Sequence, residues 1–114
     1  MIPSSNISFD SVIETGHRLS NQYYKLFYIF KNNGTCRLGI SLPKAVISMA
    51  HDRNRLKRVI RNSMDPLKQE KLDLVFLLKK NLGQYSKKDD MIVRDHLVRD
   101  SETILQKKDN DGIS

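Results

Sequence analysis

Residues 22–42 read QYYKLFYIFKNNGTCRLGISL, and whether their two apolar runs pair decides the fold. The first run, 22–31, is dense in aromatic and β-branched side chains, which suit a pleated, half-buried surface. In an extended chain Tyr24, Leu26, Tyr28 and Phe30 share one face, and Tyr23, Lys25, Phe27 and Ile29 share the other. Asn32-Asn33-Gly34 follows, a turn signal because Asn and Gly tolerate positive φ. The second run, 36–42, alternates cleanly, with Cys36, Leu38, Ile40 and Leu42 against Arg37, Gly39 and Ser41. The simplest reading is a hairpin with one core face. Its outer face would show Lys25, Phe27, Arg37, Gly39 and Ser41, where small residues beside an aromatic leave a shallow groove.

Working outward, Phe9, Val12 and Ile13 fit a short helix capped by Ser8 and stopped at Gly16. Residues 1–8 are expected to be a loose start. On the other side, Pro43 ends the second strand and Ser48 reads as a helix cap. A helix is expected from about Met49 to Met64, halted by Asp65-Pro66. LDLVFLLK, residues 72–79, is an apolar run expected as a strand buried on both faces for part of its length. Ser86 with Asp89 resembles a capping box that opens a last helix, reaching about Lys107, with Val93, Leu97 and Ile104 as its inner stripe. Residues 108–114 are expected as a disordered tail. The fold class is α+β: a single sheet with helices packed on it, in one domain spanning 9–107. The order is α-β-β-(β)-α-β-α, the bracketed strand not being located.

A chain of 114 residues can hold one modest core, and the absence of Trp makes that core aliphatic. Lys and Arg number 20 against 13 Asp and Glu, a net charge of +7, which points to a nucleic acid or an anionic surface as partner. The excess is uneven: between Lys44 and Lys71, eight basic residues face only Asp52, Asp65 and Glu70. The one cysteine, Cys36, forbids an intrachain disulfide and a cysteine-based zinc site, and it reads as a small core residue. The first residues lack the basic and apolar regions of a signal peptide. No apolar run nears the roughly 20 residues of a membrane span. A cytoplasmic protein with no membrane partner is therefore expected.

The charge concentrates in HDRNRLKRVIR, residues 51–61. On a helical wheel of about 100° per residue, Leu56, Val59, Ile60, Met64 and Met49 form an apolar stripe. Asn54, Arg58 and Arg61 cluster opposite, Lys57 and Arg55 flank them, and Arg53 falls nearer the apolar side. A helix that is merely soluble interleaves Glu with its cations four residues apart, whereas this one carries a single acid, Asp52. Like charges repel by a few tenths of a kcal/mol per pair, a cost that phosphates would remove. Arginine dominates, and arginine makes bidentate phosphate contacts. Such contacts alone do not choose between DNA and RNA.

Arg53-Asn54-Arg55 with Lys57-Arg58 and Arg61, preceded by Arg37-Leu38-Gly39-Ile40-Ser41 and Lys44, resembles the protein subunit of bacterial ribonuclease P. Phe9-x-x-Val12 with Gly16 looks like that family's first helix, and Asp73-Leu74-Val75 with Lys79 like its later strand. The resemblance implies a protein that binds a catalytic RNA and helps it remove the 5′ leader of precursor tRNA. The RNA would carry the chemistry with Mg²⁺, which it mainly holds itself, and no residue of the protein would be catalytic. By position, Arg53, Asn54, Arg55, Lys57, Arg58 and Arg61 would face the ribonuclease P RNA. A cleft between the first helix and the sheet would hold the leader of the precursor tRNA, with Phe9, Ile13, Lys25, Phe27, Arg37 and Lys44. Aromatics stacking on bases while cations track the backbone is how single strands are held. Where many members have a second Lys after Lys44, this chain has Ala45, and where many have Arg-Glu-x-Phe-Arg it has Arg61-Asn62-Ser63-Met64-Asp65.

Other readings compete. A structural or ribosome-associated RNA-binding protein without a processing role fits the basic helix equally well; the strand motif and the aromatic outer face favour the first reading. A helix-turn-helix DNA binder needs a short helix and tight turn before His51, but a strand and Pro43 stand there, so no DNA partner is expected. His17, His51 and His96 are far apart, and Asp89-Asp90 reads as first-turn helix stabilisation, which leaves any metal ligands of the protein unassigned.

Overall fold

The structure is a computed structural model that describes Ile2 and residues 7–113, the side chains of 109–113 excepted. The chain runs α1 (Phe9–Thr15), β1 (His17–Ser20), β2 (Tyr24–Phe30), β3 (Arg37–Ser41), α2 (Ala50–Ser63), a 3₁₀ turn (Asp65–Leu67), β4 (Leu72–Leu78) and α3 (Lys87–Ile113). The class is α+β, and the strand not located in the sequence is β1. Its four residues are largely exposed, so they carry no apolar alternation to read.

The sheet order is β1-β2-β4-β3. β2 lies antiparallel to β1 and to β4, while β3 lies parallel to β4. The expected hairpin between 22–31 and 36–42 is therefore wrong. The turn is real, with Gly34 at φ 88°, but the two strands it joins are not neighbours. β4 separates them, pairing Phe27 with Val75 on one edge and Gly39 with Val75 on the other. The cause lies in β4 itself. Of its seven residues only Leu77 escapes full burial, so it needs hydrogen-bonded partners on both edges and cover on both faces. A parallel pair needs a crossover, and α2 supplies it between β3 and β4.

The two faces carry separate cores. Tyr24, Leu26, Tyr28, Leu38, Leu74 and Phe76 meet Leu56 and Ile60 of α2 and Val93, Leu97 and Ile104 of α3. On the other face Val12 of α1 packs on Phe27 and Val75, with Ile7, Phe9, Ile13, Ile29 and Leu77 at the margin. Ile2, within the stretch read as loose, is fully buried in the larger core. Tyr23, expected beside Lys25, lies just before β2 and turns to α3, where its hydroxyl donates to Asp89 at 2.9 Å.

Ser8 accepts from Ser11 N–H at 3.4 Å, so the first cap stands as read. Gly16 caps the end of α1 with extended backbone, and the position requires glycine because a Cβ there would lie 2.5 Å from the Val12 carbonyl oxygen and 2.8 Å from that of Tyr28. Ser48 does not cap α2. Met49 occupies the cap position with extended backbone and no side-chain bond, and its side chain leaves the apolar stripe for solvent because the wheel does not extend to a residue outside the helix. Asp89 reaches back to the Ser86 N–H at 2.8 Å, as the capping box requires. Helical backbone continues past Lys107 to Ile113; no Gly or Pro interrupts α3 before Gly112.

Candidate nucleic-acid interface

α2 buries Leu56 and Ile60, with Ser63 and the following Met64, which turns Asn54 and Arg58 outward and leaves Lys57 and Arg61 half-buried beside them. Lys57 and Arg58 have no carboxylate within ion-pair distance among the described residues. The two arginines at the start of the motif behave differently. Arg53 points along the apolar side, and one of its terminal nitrogens donates to the carbonyls of Leu42, at 2.6 Å, and Ile47, at 3.1 Å. It ties the β3–α2 connection to the helix. Arg55 donates to Asp52 at 2.5 Å and, through Nε, to Asp90 of α3 at 2.6 Å. The bond to Asp90 first, then that to Asp52, holds the guanidinium above the usual arginine range. The same contact with Arg55 holds Asp52 below the usual carboxylate range.

The other face is built by α1. Strand register sets three rows across the sheet: Arg18, Phe27, Val75 and Gly39 in the middle, Lys25, Leu77 and Ser41 on one side, and Ile29, Asp73 and Arg37 on the other. α1 crosses the middle row. Gly39 makes that possible, since a Cβ there would lie 2.6 Å from a ring carbon of Phe9. Phe27 is thus only 8% exposed and not the open stacking platform read from the sequence. The difference is α1 itself, whose apolar face needs cover and finds it on Phe27 and Val75.

Phe9, Ile13 and Phe27 come together in one cluster. Lys25 and Arg37 flank that cluster from opposite sides, each one row from Phe27, and their own rows are four residues apart along β4, about 13 Å at 3.3 Å per residue. Arg37 makes a two-bond contact with Asp73, both at 2.9 Å, and Lys31 reaches the same carboxylate at 2.9 Å. The bond to Arg37 leads in holding Asp73 below the usual range. Lys25 is exposed and lines an open groove of about 500 Å³ with Leu77, Lys79, Lys80 and Asn81. Lys44 is exposed in the turn after β3. The sequence reading gave Asp90 only a first-turn helix role and assigned none to Tyr85 or Lys80. The acid of a buried pair gives no periodic signal; the double lysine at the end of an apolar strand was the one cue available.

Among the described residues no three His, Cys, Asp or Glu gather in a way that could hold a metal ion. No helix among them is long and apolar enough to cross a membrane.

Comparison with known proteins gives a consistent result. A family model described as Ribonuclease P matches residues 4–99. A "Ribonuclease P protein component" of Legionella pneumophila is 33% identical over 78 residues, 67% of either chain. One from Nitrosococcus oceani is 32% identical over 84 residues, 71% of this chain and 70% of the relative. Among solved structures, the RNase P protein of Staphylococcus aureus aligns with a TM-score of 0.63 at 21% identity, covering 80% of this chain and 85% of that one. The Thermotoga maritima RNase P protein aligns at 0.59 and 24%, covering 80% and 86%. These two likenesses concern the fold.

Proposed function

Because the chain belongs to the ribonuclease P protein family, we propose that it binds the catalytic RNA of a ribonucleoprotein endoribonuclease and assists removal of the 5′ leader from precursor tRNA. The observation that carries this is the outer face of α2. Asn54, Lys57 and Arg58 stand together with no acid to neutralise the cations among the described residues. A face left with unbalanced positive charge is stable when phosphates lie on it, and each phosphate contact releases counterions. Arg61 completes this face in the proposal. The leader would follow the margin of α1, past Phe9 and Ile13, with Lys25 and Lys44 on one side of the helix and Arg37 on the other. Phe27 would support the ring of Phe9 from below more than it would stack on a base.

In this reading the Mg²⁺ that supports cleavage is held mainly by the RNA, and no protein side chain is assigned to it. The protein contributes electrostatic grip and orientation of the single strand, in the cytoplasm, with neither DNA nor membrane as partner. The test is single-turnover cleavage of a precursor tRNA by a bacterial ribonuclease P RNA at low Mg²⁺, with and without this protein. Strong stimulation that depends on the presence of a leader is expected. Tight, salt-sensitive RNA binding without stimulation would instead place the chain among structural RNA-binding proteins.

A further inference from the structure

Arg55 lies in the sequence motif that the family resemblance assigns to RNA, yet its surroundings do not suit a phosphate. Its side chain is 28% exposed and is flanked by two carboxylates, Asp52 at 2.5 Å and Asp90 at 2.6 Å. One guanidinium between two carboxylates has a formal charge of −1, which repels an approaching anion where Lys57 and Arg58 attract it. The Asp90 side chain is only 9% exposed, and its second oxygen accepts from the Tyr85 hydroxyl at 2.7 Å. Both oxygens of that acid are thus committed to partners on different elements, one on α2 and one in the loop between β4 and α3.

Leu82 and the Tyr85 ring of that loop also pack on the larger core, while its polar link to α2 runs through Asp90. A polar cavity of about 220 Å³ separates Ile47 and Ser48, before α2, from Gln84 and Lys87. Gly83 takes φ 71°, a conformation that suits a bend. The loop and the first turn of α3 carry Lys79, Lys80, Lys87 and Lys88. Resting on the reading of α2 as the RNA-facing element, we infer that Arg55 is a positioning residue: through Asp90 and Tyr85 it fixes the β4–α3 loop against α2. Lys87, which lines the same cavity as Arg55, is then held at a set place beside α2.

The test compares Arg55→Ala, Asp90→Asn and Arg58→Ala in the full chain, with a bacterial ribonuclease P RNA as the probe and affinity measured across a salt series. Arg55→Ala and Asp90→Asn should each weaken binding by about fivefold with the salt slope unchanged, and the double variant should lose little more, as coupled pairs do. Arg58→Ala should lower the slope by about one. A slope lowered by about one in Arg55→Ala, with Asp90→Asn binding like the parent, would make Arg55 a phosphate contact and overturn the inference. Hydrogen exchange of the free protein provides a readout without RNA. Amides of residues 82–86 should exchange faster in both Arg55→Ala and Asp90→Asn, and unchanged exchange would overturn the clamp. A parent chain that binds no RNA in a salt-dependent way would instead sink the proposed function, and the exchange data would still decide for or against the clamp.

Discussion

A guanidinium bonded to two main-chain carbonyls cannot be shortened without leaving both acceptors bare. Leu42 and Ile47, whose carbonyls Arg53 holds, are both buried. Arg53→Ala should therefore cost about 2 kcal/mol of unfolding free energy, measurable in urea, from the loss of charged hydrogen bonds and the exposure of unpaired acceptors. Gly39→Ala should cost about 1–3 kcal/mol, because the added carbon meets the ring of Phe9 and forces α1 off the sheet; the thermal midpoint reports it. Asp73 gives a dependence on pH. Its bond to Arg37, reinforced by Lys31, places its folded pKa below the unfolded value near 3.9. The stability it contributes is then fully present above about pH 4 and is lost as pH falls through the folded value. Urea titrations on the acid side should show a shallower loss for Asp73→Asn than for the parent, and equal slopes would remove Asp73 from that account.

At the scale of elements, α2 was the most legible part of the chain. Its stripe of Leu56, Val59 and Ile60 follows from spacing alone, and so does the outward placement of Asn54 and Arg58. Replacing Lys57 and Arg58 together by Ala should flatten the salt dependence of RNA binding by about two in slope, since no ion-pair partner among the described residues is lost with them. The roles of Arg53 and Arg55 were not legible, because their partners lie in the β3–α2 connection and on α3 and leave no trace in the periodicity of α2. The sheet was misread for a related reason. Asn32-Asn33-Gly34 reports that the chain reverses, a local matter, while strand pairing is settled by which strand most needs two neighbours. The seven residues of β4 held that information, since a run buried on both faces belongs at a sheet's centre. α1 was found by its cap and its stop, but its effect was not: it covers Phe27 because Gly39 lets Phe9 come close.

For the whole molecule, the sheet separates two cores. The larger core joins α2 and α3 to the sheet, and α1 closes the opposite face. A fragment ending at residue 71 would retain α1, α2 and three strands yet lose β4, the strand that pairs with both β2 and β3. Such a fragment should show no cooperative thermal transition by circular dichroism, whereas the full chain should melt in one step.

That central place of β4 also has a meaning in time. During synthesis, β2 and β3 emerge early and must wait for some thirty or more further residues before the strand between them leaves the ribosome. At about 5–20 residues per second the delay is seconds, during which two apolar strand edges stand unpaired. Pairings so distant in sequence also form slowly once they can. The slower the chain is made, the longer those edges stay bare, so slowing translation between β3 and β4 should raise the share of product that aggregates.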